Sequence, residues 1–198
     1  ALDYKFDENN TIFANAIYNW RDDRENRFRT TYDDIEAIYD GEDIIGFEGR
    51  VKRETKGGVD NNRNKSRRLE DQRVQNYSIR GEHLINSKLD LDWSANYAKA
   101  REYRPGERYI EYRQEGLDIF QDFSENKFPL VTSSGEVLDQ LELDSVSENT
   151  DDTSESEFGA KVNIRVPFTI IPSEKGRLRT GLRLRLKEKM RNNIFYAY

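Results

Sequence analysis

Carboxylates stand in pairs along this chain. Glu111 with Glu115, and Asp90 with Asp92, are of the type that glycoside hydrolysis needs, one group protonating the leaving oxygen while the other acts as base or nucleophile. Glu82 beside His83 sets a carboxylate next to an imidazole, the opening of an acid–base relay. With 38 acidic residues such pairs arise by chance, and no nucleophile in a recognisable setting accompanies His83, so the expectation is an interface or packing role for the imidazole, no catalytic residue and no enzymatic activity. His83 is the only histidine and there is no cysteine. That removes multi-histidine and thiolate metal sites as well as disulfides, and a Ser-His-Asp triad would depend on one imidazole. Between Lys127 and Lys161 nine acidic residues run without a basic one: Glu136, Asp139, Glu142, Asp144, Glu148, Asp151, Asp152, Glu155 and Glu157. Oxygen ligands for a hard cation are available there, but the glycine and the terminal glutamate of an EF-hand loop are not in register. Interleaved Ser and Thr favour a mobile, solvated acidic loop, with Asp151, Asp152, Glu155 and Glu157 at its end and no metal or cofactor.

The cations fall into two sets. Lys161, Arg165, Arg177, Arg179, Arg183, Arg185 and Lys187 alternate with apolar residues and so share one face. Guanidinium groups bind carboxylate and phosphate in a bidentate fashion, so this row suits an anionic solute or an acidic partner. The simpler expectation is pairing with Asp and Glu on neighbouring strands. From Arg50 to Arg73 nine Lys or Arg face four acids. Lipid phosphates are one partner for that segment, and a hydrated hairpin tip, suggested by Gly57, Gly58, Asn61, Asn62 and Asn64, is the other. A net charge of -6 gives no reason to expect nucleic acid.

The elements that carry these rows are strands. Phe158, Ala160, Val162, Ile164, Val166 and Phe168 alternate with Lys161, Asn163 and Arg165, and after a Pro172 to Gly176 turn Leu178, Thr180, Leu182, Leu184 and Leu186 alternate with the arginines. Two further hairpins have the same period: Leu2, Tyr4 and Phe6 followed by Ile12, Ala14, Ala16, Tyr18 and Trp20, then Tyr77 to His83 followed by Leu89 to Tyr97. Short turns near residues 8, 87 and 174 therefore alternate with long connections, roughly 22 to 70 and 101 to 156. Sorting of loops by length suits an outer-membrane barrel with short periplasmic turns and long extracellular loops. Tyr18, Trp20, Trp93, Phe158 and Phe168 read as aromatics at the membrane interface. The apolar runs, Phe158 to Phe168 and Leu178 to Leu186, match the 9 to 11 or so residues of a tilted spanning strand. A soluble, secreted β-sandwich that binds carbohydrate gives the same alternation and stays open as the alternative. At 198 residues the length suits one domain with a core and demands no second, and with 35% hydrophobic against 35% charged residues it would be a lean soluble globule, although 12% aromatic content argues against disorder. No apolar stretch is long enough for a transmembrane helix, and the first residues do not form a signal peptide.

Several stretches carry a resemblance: Asp3-Tyr4-Lys5-Phe6, Asn10-Thr11-Ile12-Phe13, Asn76-Tyr77-Ser78-Ile79-Arg80-Gly81-Glu82-His83, Leu89-Asp90-Leu91-Asp92-Trp93-Ser94, and Lys187-Glu188-Lys189 with Arg191-Asn192-Asn193. They resemble the barrel of TonB-dependent outer-membrane receptors of Bacteroidetes-like bacteria, over nearly the whole chain and in strand style rather than in one motif. The resemblance implies an all-β fold of antiparallel up-and-down strands, residues 1–198 forming a roughly six-strand segment of a larger transmembrane β-barrel with long extracellular loops. It implies a location in the outer membrane of a Gram-negative bacterium and active uptake of a scarce solute, such as an iron chelate or large nutrient. The implied partners are outer-membrane lipid, lipopolysaccharide, an unidentified nutrient ligand, and a plug domain and TonB reached through parts of a longer parent. Ile194, Tyr196 and Tyr198 alternate as a barrel's last strand does, but the turn count puts Tyr198 on the extracellular side, so the parent is expected to continue beyond it.

Overall fold

The alternation does form strands, but more of them and longer ones than the apolar periodicity marks out. The computed structural model describes residues 1–198 except Ser87, Asn126, Ser173 and Glu174. The centres of the turns expected near 87 and 174 lie outside the described residues. Strands β1 (Leu2–Asp7), β2 (Asn10–Glu25), β3 (Arg27–Asp40), β4 (Asp43–Gly58), β5 (Arg68–Ile85), β6 (Leu89–Asp122), β7 (Leu130–Ser134), β8 (Glu142–Phe168) and β9 (Gly176–Ala197) make one antiparallel sheet that is not closed. With 81% of the residues in strands, the chain is all-β. Along the sheet β1 pairs β2, β2 pairs β5, β5 pairs β6, β6 pairs β4 and β4 pairs β3, while β7 and β8 also pair β6, and β9 pairs β8.

The six expected strands correspond to β1, β2, β5, β6, β8 and β9. The long connections do not survive as loops. Residues 22 to 70 contain β3, β4 and the start of β5, and residues 101 to 156 contain the end of β6, all of β7 and the first half of β8. Asp151, Asp152, Glu155 and Glu157 accordingly lie in strand β8, not in a loop. The physical reason is that the apolar residues of these stretches keep no long alternation and parts of them, such as Glu148 to Glu157, are polar at every position, yet backbone ladders form there with charges partnered across the strands.

Two compact units share the chain. The first comprises Ala1–Asp22, Glu70–Tyr103 and Asp151–Asn192. Its β1–β2 turn is set by Asp7, whose carboxylate accepts from the Asn9 backbone N–H at 2.7 Å and from the Asn10 amide, the local bond that makes Asp a turn former. β5 and β6 pair without interruption from Asp71↔Tyr103 to Ile85↔Leu89. Asn86 begins the turn with φ +51°, a conformation asparagine tolerates.

The second unit comprises Asp23–Leu69, Arg104–Thr150 and Asn193–Tyr198. β3 and β4 close through Gly41 and Glu42, with Gly41 at φ +66° supplying the left-handed residue a two-residue hairpin needs. Its small core is Val51, Leu117 and Ile119, with Tyr32 and Val131 against it. Gly49 permits the packing, since Ile119 lies 3.0 Å from where a Cβ would sit. Beyond the core, Arg68 donates to Glu107 at 2.5 Å and to Glu25 at 2.7 Å. Asn64 donates to the Pro105 carbonyl, which ties the connection between β4 and β5 to β6.

Val51, Leu69, Leu117 and Ile119 are the buried hydrophobics among the described residues. The β-sandwich alternative expected Leu178, Leu182, Leu184, Val162 and Ile164 to meet an opposing sheet. All strands belong to one sheet, and Leu178, Leu182, Leu184 and Val162 are exposed, Leu182 by 84%, so no second layer covers them among the described residues.

Candidate functional site

The two faces of the first unit differ in what their strands supply. On one face Tyr77 lies opposite Tyr97 and Ile79 opposite Ala95, and these four, with Phe158, line one apolar depression. Tyr18, Trp20, Phe168 and the leucines of β9 are exposed as well. Trp20 keeps its polar end satisfied, its indole N–H reaching Asp22 at 3.1 Å while the Arg73 guanidinium stands 5.3 Å from the ring centre.

Trp93 sits differently. It lies opposite Gly81, four residues along β6 from Tyr97, and its N–H donates to His83 Nε2 at 3.0 Å. His83 Nδ1 in turn meets Asn10 Oδ1 at 2.9 Å. The indole occupies the acceptor nitrogen, so the other nitrogen carries the hydrogen and gives it to Asn10. Both ring nitrogens are engaged in tying β2, β5 and β6 together, which leaves the imidazole no lone pair for base chemistry.

On the other face Asp92 is the hub. It accepts from Asn163 at 2.5 Å and from Arg165 at 3.1 Å, with the Lys161 ammonium at 4.0 Å. Asp92, Lys161 and Arg165 border a polar cavity of about 500 Å³ whose wall also includes Arg80, Glu82 and Arg179. Arg80 stands over the Phe13 ring at 4.0 Å and approaches Glu82 at 4.0 Å.

The expected cation row divides in two. Lys161 and Arg165 go to Asp92, Arg185 to Glu157 at 2.7 Å and Lys187 to Glu155 at 2.7 Å. Arg177, Arg179 and Arg183 share the face but have no ion pair among the described residues within 4 Å. The acids expected in a loop are these partners: Asp151 takes Arg191 at 2.6 Å, and Asp152 takes Arg101 through two bonds of 2.8 and 2.6 Å. The Arg101 fork holds the Asp152 carboxyl below the usual carboxylate range, against the opposing effect of burial.

The carboxylate pairs are also dispersed. In the second unit Glu111 lies 3.5 Å from Lys52, which also approaches Asp33 at 3.4 Å and Asp144 at 3.9 Å. Glu115 faces Arg50 and Arg113 instead, each at 3.7 Å. Burial, and then the neighbouring Asp144, raise the Glu111 carboxyl despite Lys52. Asp33 is held low by its bonds from Arg50. Asp90 borders the cavity while Asp92 is held by the β8 cations. Among the described residues no three His, Cys, Asp or Glu side chains converge as a metal site. In the basic segment Arg50 pairs with Asp33, Arg53 with Glu136, Lys56 with Glu54 and Arg68 with Glu107.

Sequence reading missed Asp92 as a hub, Asn163 as its hydrogen-bond donor, Arg80 as a wall residue, and Arg101 as the partner of Asp152. Cross-strand register, which counting outward from each turn approximates, is the signal that connects them. No family model matches the chain and no curated protein matches it in sequence.

Proposed function

We propose that the chain is part of the wall of an outer-membrane β-barrel that takes up a scarce solute, in the manner of a TonB-dependent receptor. The observation that carries this reading is the pairing of an exposed apolar face on β8 and β9 with an ion-paired polar face on the same strands. A lipid-facing exterior and a wet lumen require that division. The apolar stretches are Phe158 to Phe168 and Leu178 to Leu186, while the same faces continue into Asp152 and Glu188. A band that ends in charge on both strands has the length of a bilayer crossing. Tyr18, Trp20, Tyr77, Tyr97 and Phe158 mark one border of the band and Phe168 the other, with side chains suited to headgroup depth.

In this reading the strands beyond the band project outside the membrane, where both their faces meet water. Energy reaches the barrel through a plug and TonB supplied by the rest of the parent, lipopolysaccharide surrounds the outer border, and the cavity beside Asp92 faces the solute path. The test is detergent-protected labelling. Cysteine introduced at Leu184 or Val162, in a chain with no native cysteine, reacts with a water-soluble maleimide slowly in micelles, and an Arg185 cysteine reacts fast. Equal, rapid labelling at all three sites removes the reading.

A further inference from the structure

The polar cavity beside Asp92 lies within the first unit, and its wall is divided by sign. One side is β5 with the β1–β2 turn, which the Leu84 N–H holds against β5 by donating to the Asn9 carbonyl at 2.9 Å. That side sets Glu8 and Glu82 against Arg80, an excess of one negative charge. The other side is β6 with β8 and β9, which set Lys161, Arg165 and Arg179 against Asp90 and Asp92, an excess of one positive charge. Pairing inside the wall does not cancel the division. Arg80 reaches Glu82 only at 4.0 Å, and Glu8 has no ion pair among the described residues. Asp92 takes Arg165 at 3.1 Å but Lys161 only at 4.0 Å, and the Arg165 Nε meets no acceptor among the described residues.

We infer that this cavity binds a short peptide by both of its ends, the terminal ammonium at Glu8 and Glu82 and the terminal carboxylate at Lys161 and Arg165. β6 pairs with β5 on one side and β8 on the other, so the strands carrying Glu82 and Lys161 stand two spacings apart, about 9–10 Å. The two charges of a single amino acid are too close together to reach both walls, whereas three extended residues span about 10 Å. An ammonium offers three donors to the acidic wall, and the cationic wall holds a carboxylate through charge-assisted bonds. A solute of uniform sign is repelled by the wall of like charge. A volume of about 500 Å³ lies within the roughly 300–1,000 Å³ of small-molecule sites. That the peptide is the solute taken up rests on the membrane reading, whereas its binding does not.

The probes are trialanine, N-acetyl-trialanine, trialanine amide and alanine, each titrated calorimetrically into the 198-residue chain in detergent micelles. Trialanine is expected to bind at least tenfold more tightly than the other three, with a preference that shrinks as salt is added. Glu82→Gln is expected to abolish its advantage over the acetylated peptide, and Lys161→Gln its advantage over the amide. If the unsubstituted chain binds either capped peptide or alanine as tightly as trialanine, or binds none of them, the inference is overturned whether or not the variants fold. A variant that weakens all four probes equally overturns the assignment of ends to walls. Maleimide labelling of the Leu184 and Val162 cysteines keeps the two readings apart. Slow labelling without trialanine binding sinks the peptide site alone, and rapid labelling with trialanine binding sinks the membrane reading alone.

Discussion

Glu107 is the side chain on which the second unit most depends. It is 1% exposed, accepts from Arg68 and from the Tyr109 hydroxyl at 3.0 Å, and its loss leaves a guanidinium half-compensated in a dry setting. Glu107→Ala is expected to destabilise the fold by about 3 kcal/mol, the scale for breaking a buried pair from one side, whereas Glu107→Gln keeps the shape and costs less. Urea titration of the two variants measures the difference. A second consequence at this scale concerns pH. Asp33 and Asp152 have folded carboxyl groups below their usual range. Each therefore contributes stability above the unfolded value of about 3.9, which is lost as pH falls through the folded value. Glu111 is raised, so it acts in the opposite sense and favours the fold as pH drops toward it. The urea midpoint is expected to fall between pH 5 and pH 3, and to fall less in Asp152→Asn. A midpoint rising on acidification contradicts this.

At the scale of elements, glycines decide how closely strands and rings approach. The Trp93 indole and the His83 ring occupy the space a Cβ at Gly81 would need. Gly81→Ala is expected to displace Trp93 from His83 at a cost of about 1–3 kcal/mol, typical of overpacking, and to change the emission of Trp93 when Trp20→Phe removes the other indole. Unchanged emission would mean that the ring does not rest there. The hairpins were legible from the sequence because Leu178 to Leu186 and Phe158 to Phe168 keep one strict apolar alternation. β3, β4 and the first half of β8 were not, because a strand such as Glu148 to Glu157 is polar at every position and reads as loop by composition. Only pairing reveals it, when Asp152 meets Arg101 and Glu155 meets Lys187. Trp93 shows the same limit. Its type suits an interface, but register sets it over Gly81 and leaves Tyr97 beside Phe158.

At the scale of the whole molecule, four buried hydrophobic residues among those described are few for 198 residues. A soluble domain of this length buries most of its apolar side chains, whereas here Leu182, Leu184, Tyr18 and Trp20 are among those left outside. The chain is expected to aggregate in plain buffer and to be monodisperse and β-rich in detergent, because open edges and apolar bands both recruit other chains. Light scattering with circular dichroism tests this, and a monodisperse monomer in buffer alone would contradict it. The sequence by itself determined the strand class, the two-faced hairpins, the shortage of core-forming residues and the lack of cysteine or a second histidine, since these follow from period and composition. Tertiary structure alone decided that nine strands share one sheet, that Asp92, Glu155 and Glu157 take four of the seven cations in the row, and that Arg177, Arg179 and Arg183 make no ion pair within 4 Å among the described residues. Those outcomes depend on which residues come opposite one another across a ladder, and a strand's own periodicity carries no information about its neighbour's register.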